Sequence, residues 1–219
     1  MILCENCGEL PKESVQIYRD DLKKQHITIL PILPTCSQCN TRITISHADT
    51  CGNIIVLNGT CGSGKTSIAE YLQDNGYLAI DGDCAIQSLQ YKKGTKKYEW
   101  NELIDEIADE IRLMTYFGKN IALSHVVLPE DVERYIQIFS SFGLKYKFVL
   151  LKPDYQTAVE RCKNRTAHES VTPEIWIKHF YNLLVFDERA VDVIDNTHQS
   201  IEETVTEIFN LPWRSATSL

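Results

Sequence analysis

The chain has 219 residues, of which 43% are hydrophobic and 24% charged, and its formal net charge is −8. This composition supports one sizeable core with room for a small appendage, and it excludes a collagen, a coiled coil and a wholly disordered chain. The negative charge argues against non-specific nucleic-acid binding as the main role. No run of eighteen apolar residues and no secretory signal pattern occurs, which predicts a cytoplasmic protein with no membrane partner.

Four of the eight cysteines form two CxxC pairs near the N-terminus. In a chain without a secretion signal, such pairs are interpreted as ligands of Zn²⁺ before they are interpreted as disulfides. Residues 1–50 have few large apolar side chains, so metal binding would supply their missing folding free energy. We therefore predict a small β-rich zinc ribbon there, with a redox pair or unligated thiols as alternatives. The predicted ligands are Cys4, Cys7, Cys36 and Cys39.

The N-terminal segment contains short β-prone stretches beside its cysteines. Residues 51–219 instead alternate between strand and helix signals, and this change of pattern predicts a second domain. The β-prone stretches of the N-terminal segment are Val15–Tyr18, His26–Leu30 and Arg42–Ser46. The predicted strands of the second domain are Asn53–Leu57, Tyr77–Ile80, Asn120–Val127, Lys147–Leu151 and Val191–Ile194. Its predicted helices are Ser67–Gln73, Glu102–Phe117, Pro129–Ser140, Tyr155–Asn164, Pro173–Phe186 and Ile201–Phe209, the last capped by Ser200. Apolar strands alternating with helices predict an α/β fold with a parallel sheet covered on both faces.

The first strand of this domain runs into a phosphate-loop motif, G-x-x-x-x-G-K-[ST], with a helix after it. Glycines let backbone N–H groups wrap around a phosphate, and the helix N-terminus adds a positive dipole. Lys65 is expected to reach the β- and γ-phosphates of ATP, and the Thr66 hydroxyl to ligate Mg²⁺. The predicted nucleotide-binding residues are Gly59, Thr60, Cys61, Gly62, Ser63, Gly64, Lys65, Thr66 and Ser67.

An acidic turn, Asp81-Gly82-Asp83, follows the second strand. Carboxylates two residues apart on an extended backbone point to the same side, and at the carboxyl end of a parallel strand they face the ligand crevice. One would hold Mg²⁺ through water, and the other would accept the proton of an attacking hydroxyl. The alternative is a polar turn that caps the next helix.

The phosphate loop, the short second strand with its D-G-D turn and the domain length resemble the small P-loop kinases. These are the gluconate, shikimate and adenylylsulfate kinases and the related antibiotic phosphotransferases, and the resemblance covers residues 53–210. It implies the P-loop NTPase fold with sheet order 2-3-1-4-5, Asp81 assisting Mg²⁺ and Asp83 contacting the acceptor hydroxyl. It also implies a lid whose arginines cover the phosphates, a role expected of Arg161 or Arg165, which share a helix face; a solvated basic face is the alternative.

Two further stretches bear on function. The third strand ends in Ser124-His125 without the carboxylate that many P-loop NTPases carry there, which disfavours a motor or a switch. His125 faces the acceptor or is a buried structural histidine. The stretch Tyr91–Trp100 is rich in lysine and aromatic residues and lies where the resembled kinases bind their acceptor. It would grip an anionic substrate or a nucleic acid, or it is a solvated loop.

Together these patterns predict an ATP- and Mg²⁺-dependent phosphotransferase that acts on a hydroxyl of a small molecule, as a monomer or a homodimer, and that carries Zn²⁺ in its ribbon. The alternatives are a kinase of a nucleic-acid or nucleotide end, and an ATP-binding regulatory module that docks through its zinc ribbon. Acceptor pockets are built from variable loops, so the sequence does not name the acceptor.

Overall fold

The structure, a computed structural model, describes residues 2–4, 6–10, 36, 39, 43–45, 52–116, 120–164 and 172–215. The strands are β1 (Ile2–Cys4), β2 (Gly8–Leu10), β3 (Ile43–Ile45), β4 (Asn53–Asn58), β5 (Leu78–Asp81), β6 (Ile121–Ser124), β7 (Lys145–Leu151) and β8 (Asp192–Ile194). The helices are α1 (Lys65–Asp74), α2 (Gly82–Lys93), α3 (Trp100–Tyr116), α4 (Val132–Ser141), α5 (Tyr155–Asn164), α6 (Glu174–Leu183) and α7 (Ile201–Asn210). In the described ranges, every helix is too short or too polar to span a bilayer.

The chain divides into two compact units. The first, called here the N-terminal unit, comprises residues 1–51 and 82–119, and the second, the sheet unit, comprises residues 52–81 and 120–219. The polypeptide therefore leaves the sheet unit after Asp81 and returns to it at Asn120. The two domains predicted from the sequence, 1–50 and 51–219, stay a prediction.

The sheet unit is built on five parallel strands in the order β5-β6-β4-β7-β8. Numbered along this domain, that order is 2-3-1-4-5, so the predicted P-loop NTPase fold is confirmed. β4 is the central strand and is buried from Ile54 to Asn58, which explains its continuous apolar run. Because all five strands are parallel, their carboxyl ends meet at one edge of the sheet, where the phosphate loop begins.

One hydrophobic cluster joins this sheet to α1 and α7. It contains Ile55 and Leu57 of β4, Ile68 and Leu72 of α1, and Val205 and Ile208 of α7. The helical members are three or four residues apart, so each helix turns one apolar stripe toward the sheet. The same cluster fixes α1, and with it the first turn after the phosphate loop.

In the N-terminal unit, β1, β2 and β3 form an antiparallel sheet in the order β2-β1-β3. The first CxxC turn joins β1 to β2, and Gly8 adopts a positive φ of 79° there, as glycine permits. β3 confirms the strand predicted within Arg42–Ser46. The strands predicted at Val15–Tyr18 and His26–Leu30 lie outside the described residues.

The same unit contains α2 and α3, of which only α3 is among the predicted elements. α2 buries few apolar side chains, chiefly Ala85 and Leu89, so its sequence lacks a clear apolar period. The two helices are joined by a buried carboxylate: Glu106 accepts hydrogen bonds from Ser88 Oγ at 3.1 Å and from Lys92 Nζ at 2.7 Å. β3 lies in contact with α3.

Candidate active site

The phosphate loop follows β4 at the carboxyl edge of the sheet, and two of its glycines approach other backbone too closely for any side chain. A Cβ on Gly59, whose φ is +144°, would lie 2.5 Å from the Leu151 carbonyl oxygen. A Cβ on Gly62, whose φ is +79°, would lie 2.1 Å from the Ala158 carbonyl oxygen of α5. The glycine pattern therefore serves both the backbone path and the close packing of α5 beneath the loop.

Lys65 and Thr66 open α1 directly after the loop. Lys65 Nζ donates hydrogen bonds to the carbonyl oxygens of Gly59 at 2.7 Å and Thr60 at 3.0 Å, so the ammonium group lies over the loop. Thr66 is exposed in the first turn of α1, and that turn holds no acidic residue. The positive end of the helix dipole is thus not offset by a local carboxylate, which suits an anion.

Two side chains whose identity the motif does not specify hold the start of the loop. Asn58, fully buried at the end of β4, accepts from Gly59 N at 2.7 Å and Val127 N at 3.1 Å, and its Nδ2 donates to the Val127 carbonyl at 2.8 Å. Thr60 Oγ1 donates to the carbonyl of Ile177 in α6 at 3.0 Å. The sequence signal for Asn58 was a polar residue closing an otherwise apolar strand, but it pointed to no partner.

The loop after β8 contacts the phosphate loop from the other side. Asn196 is buried, and its Nδ2 donates to the Ser63 carbonyl at 2.9 Å. Arg161 of α5 in turn donates from Nη2 to the carbonyls of Asn196 at 2.9 Å and Thr197 at 3.3 Å. Arg161 thus stabilises the loop after β8, which in turn contacts the phosphate loop through Asn196. Arg165 lies outside the described residues.

Asp81 is the last residue of β5 and stands at the same edge of the sheet as the phosphate loop. It pairs with Ser124 of β6, which pairs with Leu57 of β4. Two strand spacings separate Asp81 from β4, roughly 10 Å. Ser124 is buried and occupies the end of the strand on which many P-loop NTPases carry an acid. Asp81 is therefore a carboxylate that lies one strand further from the phosphate loop than Ser124 does.

Asp83 lies in the first turn of α2 and is exposed. The strand ends at Asp81 and helix begins at Gly82, so the argument that two carboxylates on an extended backbone share a side does not apply to this pair. A carboxylate in the first turn of a helix also interacts favourably with the positive end of the helix dipole, which agrees with the alternative of a polar turn at the start of the helix. Burial raises the pKa of the Tyr98 phenol, and the nearby negative charge of Asp83 adds to that shift.

His125 follows β6 and is 5% exposed. Burial, and secondarily the positive charge of Lys65, lowers the pKa of His125 from 6.5 to about 3. Its ring tilts against that of Tyr135 with centroids 6.3 Å apart. The imidazole is therefore neutral near pH 7, and these surroundings favour the structural role over the acceptor-facing one.

Two lysines of the predicted basic stretch are held in ion pairs within the N-terminal unit. Lys92 pairs with Glu106, and Lys93 Nζ lies 2.6 Å from Glu102 Oε2. Both lysines belong to the last turn of α2, where positive charge suits the helix dipole. The stretch therefore offers an anion fewer unneutralised charges than its four lysines indicate, and Lys96 and Lys97 are its exposed remainder.

The four cysteines predicted as ligands come together in the N-terminal unit. The Sγ atoms of Cys4, Cys7, Cys36 and Cys39 all lie within 4.8 Å of one another. A tetrahedral site with metal–sulfur bonds of about 2.3 Å needs sulfurs about 3.8 Å apart, so this donor set fits a Zn²⁺ ion. Cys4 and Cys36 are buried and Cys7 and Cys39 are exposed.

A protein-family model described as an AAA domain matches residues 55–176, more than half of the chain. The chain belongs to the AAA domain family. The matched residues of this AAA domain run from β4 through the phosphate loop to the start of α6. No protein with a curated description matches the sequence significantly.

The chain is similar to several solved structures, two of which are named as kinases. A gluconokinase from Sinorhizobium meliloti 1021 is 23% identical, with 73% of this chain and 90% of that chain covered and a TM-score of 0.52. The Deinococcus radiodurans tunicamycin resistance protein is 17% identical over 74% and 98% of the two chains, with a TM-score of 0.57. A sugar kinase from Janibacter sp. HTCC2649 is 19% identical over 71% and 91%, with a TM-score of 0.53. At these identities the likeness establishes a shared fold, which confirms the fold implied by the sequence resemblance.

Proposed function

We propose that the protein is a kinase that transfers the γ-phosphoryl group of ATP to a hydroxyl group of a small molecule. The observation that carries this proposal is the phosphate loop at the carboxyl edge of the parallel sheet, with the Asp81 carboxylate ending a strand at that same edge. Membership of the AAA domain family and the fold shared with a gluconokinase and a sugar kinase support nucleotide-dependent phosphotransfer.

The nucleotide end of the reaction is assigned to the sheet unit. Backbone N–H groups of the phosphate loop and Lys65 Nζ would bind the β- and γ-phosphates. Thr66 would ligate Mg²⁺ directly, and Asp81 would hold it through water. Bound there, Mg²⁺ would supply positive charge that offsets the negative charge developing on the phosphate oxygens. Asn58, Thr60 and Asn196 keep the loop in one conformation, so little reorganisation is needed on binding.

The acceptor end is assigned to Asp83. Its carboxylate would accept the proton of the acceptor hydroxyl while that oxygen bonds to the γ-phosphorus and the bond from phosphorus to the β–γ bridging oxygen breaks, releasing ADP. Arg161 and Arg165 are proposed to stabilise the transferring charge, as lid arginines. For Arg161, the hydrogen bonds to Asn196 and Thr197 add a supporting contribution through the phosphate loop.

The four-cysteine cluster is proposed to bind one Zn²⁺ ion. All four ligands come from the protein, so the coordination is closed and the role is structural rather than catalytic. Binding would supply folding free energy to strands of only three residues each.

A mass-spectrometric acceptor screen tests the proposed activity. The zinc-loaded protein, ATP and Mg²⁺ are incubated with a pooled metabolite extract, and products that gain one phosphoryl group are identified. Lys65→Ala should abolish transfer. Asp83→Asn should keep its ATP affinity but lose transfer by about 10²–10⁴-fold, the usual worth of a general base. Asp74→Asn, which removes an exposed carboxylate from the end of α1, is the matched control and should transfer normally.

Three results would change these assignments. Full transfer by Asp83→Asn would remove Asp83 from its proposed role. ATP binding without any phosphorylated metabolite would favour a nucleic-acid end kinase, which steeply salt-dependent nucleic-acid binding would then identify. ATP binding with neither property would favour a regulatory module that docks through the zinc ribbon.

A further inference from the structure

The four-cysteine module, defined as β1, β2, β3 and the four clustered cysteines, belongs to the same compact unit as α2 and α3. We infer that metal binding to this module keeps α2 and α3 packed against each other. Because α2 carries Asp83, metal binding would then affect the acceptor side of the reaction rather than nucleotide binding. The inference rests on the proposed function for the role of Asp83. The structural coupling itself rests on contacts within the N-terminal unit.

The first link joins the sulfur atoms to the strands. Cys4 is the last residue of β1, the central strand of the small sheet, and it pairs with Gly8 of β2 and with Ile43 of β3. Cys7 directly precedes β2. Strands of three residues are too short to persist alone, so their arrangement depends on what their ends are tied to. A metal bound to the four sulfurs would tie β1 and the start of β2 to Cys36 and Cys39.

The second link joins the strands to α3. β3 pairs with β1 along its whole length and lies in contact with α3. The register that holds β3 is therefore set by the strand that ends in a cysteine ligand. Loss of the metal would remove the constraint on β1, and with it the pairing that places β3 in contact with α3.

The third link joins α3 to α2, and through α2 to Asp83. Glu106 of α3 is 8% exposed and accepts hydrogen bonds from Ser88 and Lys92 of α2. A buried carboxylate is tolerated only while its donors remain in place, so the contact depends on the mutual position of the two helices. Asp83 lies in the first turn of this same α2.

Hydrogen–deuterium exchange of the full-length protein, with and without a zinc chelator, tests this coupling without needing an acceptor. Chelation should raise amide exchange in residues 82–116 about tenfold or more, as expected when a cooperative unit opens. Exchange in residues 52–81 and 120–164 should stay unchanged, and the Kd for ATP measured by calorimetry should stay within about twofold. Added Zn²⁺ should restore the protection.

Two variants separate the links. Cys39→Ser should reproduce the effect of chelation and should show no further change when chelator is added. Glu106→Gln should still bind one Zn²⁺ per chain but should lose protection in residues 82–93, because its neutral amide no longer pairs with Lys92. Unchanged protection of residues 82–116 on chelation, or equal loosening of both units, overturns the inference. Zinc-dependent protection in a protein that transfers no phosphoryl group would refute the proposed function while the structural coupling stands.

Discussion

Asn58 shows how one side chain can replace a piece of sheet. Its amide satisfies both the N–H and the carbonyl of Val127, which lies three residues past the end of β6. It also accepts from Gly59 N, the first amide of the phosphate loop. Three backbone groups buried at the carboxyl edge of the sheet thus depend on this residue, because β4 and β6 no longer pair there.

We predict that Asn58→Ala lowers the free energy of unfolding by about 2–4 kcal/mol, since it leaves buried polar groups without hydrogen-bond partners where water does not reach. ATP affinity should fall as well, because Gly59 loses its anchor. Urea denaturation and calorimetry measure the two effects. Asn53→Ala is the matched control at the other end of the same strand: Asn53 makes one partly buried hydrogen bond to Asn120, and its loss should cost about 1 kcal/mol or less. Equal losses in the two variants would contradict this account.

His125 should make the free energy of unfolding decrease as the pH is lowered. The unfolded chain protonates this residue below its ordinary pKa of 6.5, whereas burial keeps the folded chain from doing so until about pH 3. Protons therefore favour the unfolded state throughout that window, and the stabilisation present at pH 7.5 is lost as pH falls. At pH 5.5 the loss from this residue should be about 1.4 kcal/mol. Urea denaturation at both pH values should show a wild-type loss larger by that amount than that of His125→Gln; parallel pH dependences would refute the assignment.

At the scale of elements, α7 is secured at both ends. Ser200 Oγ accepts from Glu203 N at 3.1 Å while Glu203 accepts from Ser200 N at 2.8 Å, a capping box that confirms the predicted cap. At the other end, the buried Lys147 of β7 donates to the carbonyls of Ile208 and Phe209 at 2.9 and 2.8 Å. These carbonyls belong to the last turn, whose negative dipole end suits a cation.

Ser200→Ala should therefore destabilise the protein by about 1 kcal/mol, because Glu203 N loses its acceptor. Thr206→Ala, on the exposed side of the same helix, should change stability by less than about 0.5 kcal/mol. Thermal unfolding of the two variants and of wild type under one buffer condition compares them. A Ser200→Ala protein that unfolds with wild type would show that the capping box contributes nothing.

Most elements of the sheet unit were readable from apolar periodicity, because buried parallel strands and amphipathic helices each leave a distinct pattern. β6 is shorter than the predicted Asn120–Val127, since Asn58 takes over the hydrogen bonds of Val127. The sequence did not predict α2. This helix contacts α3 through polar side chains that bond to Glu106, and polar contacts do not produce an apolar period in the sequence.

At the scale of the whole molecule, the parts of the candidate site that are contiguous in sequence could be predicted, whereas those assembled from distant residues could not. The phosphate loop is contiguous, so its motif and local context sufficed. Asn196 and Ser63 are 133 positions apart, and only the strand order brings them together. The resemblance to small kinases implied a lid role for Arg161 or Arg165, but the hydrogen bonds of Arg161 to the loop after β8 followed from tertiary structure alone. Polar side chains that support a loop from afar carry no spacing rule that a single sequence can reveal.

The discontinuous N-terminal unit also has a consequence for biosynthesis. The last clustered cysteine is residue 39, whereas α3, on which β3 rests, begins at Trp100. At translation rates of about 5–20 residues per second, the nascent chain carries a complete set of thiols for roughly 3–12 seconds before that helix exists. During this interval the proposed metal site would tie β1 to the start of β2 without help from α3. Under the proposed zinc assignment, depletion of zinc in the cell would leave these strands open to proteases while the rest of the protein is still being synthesised.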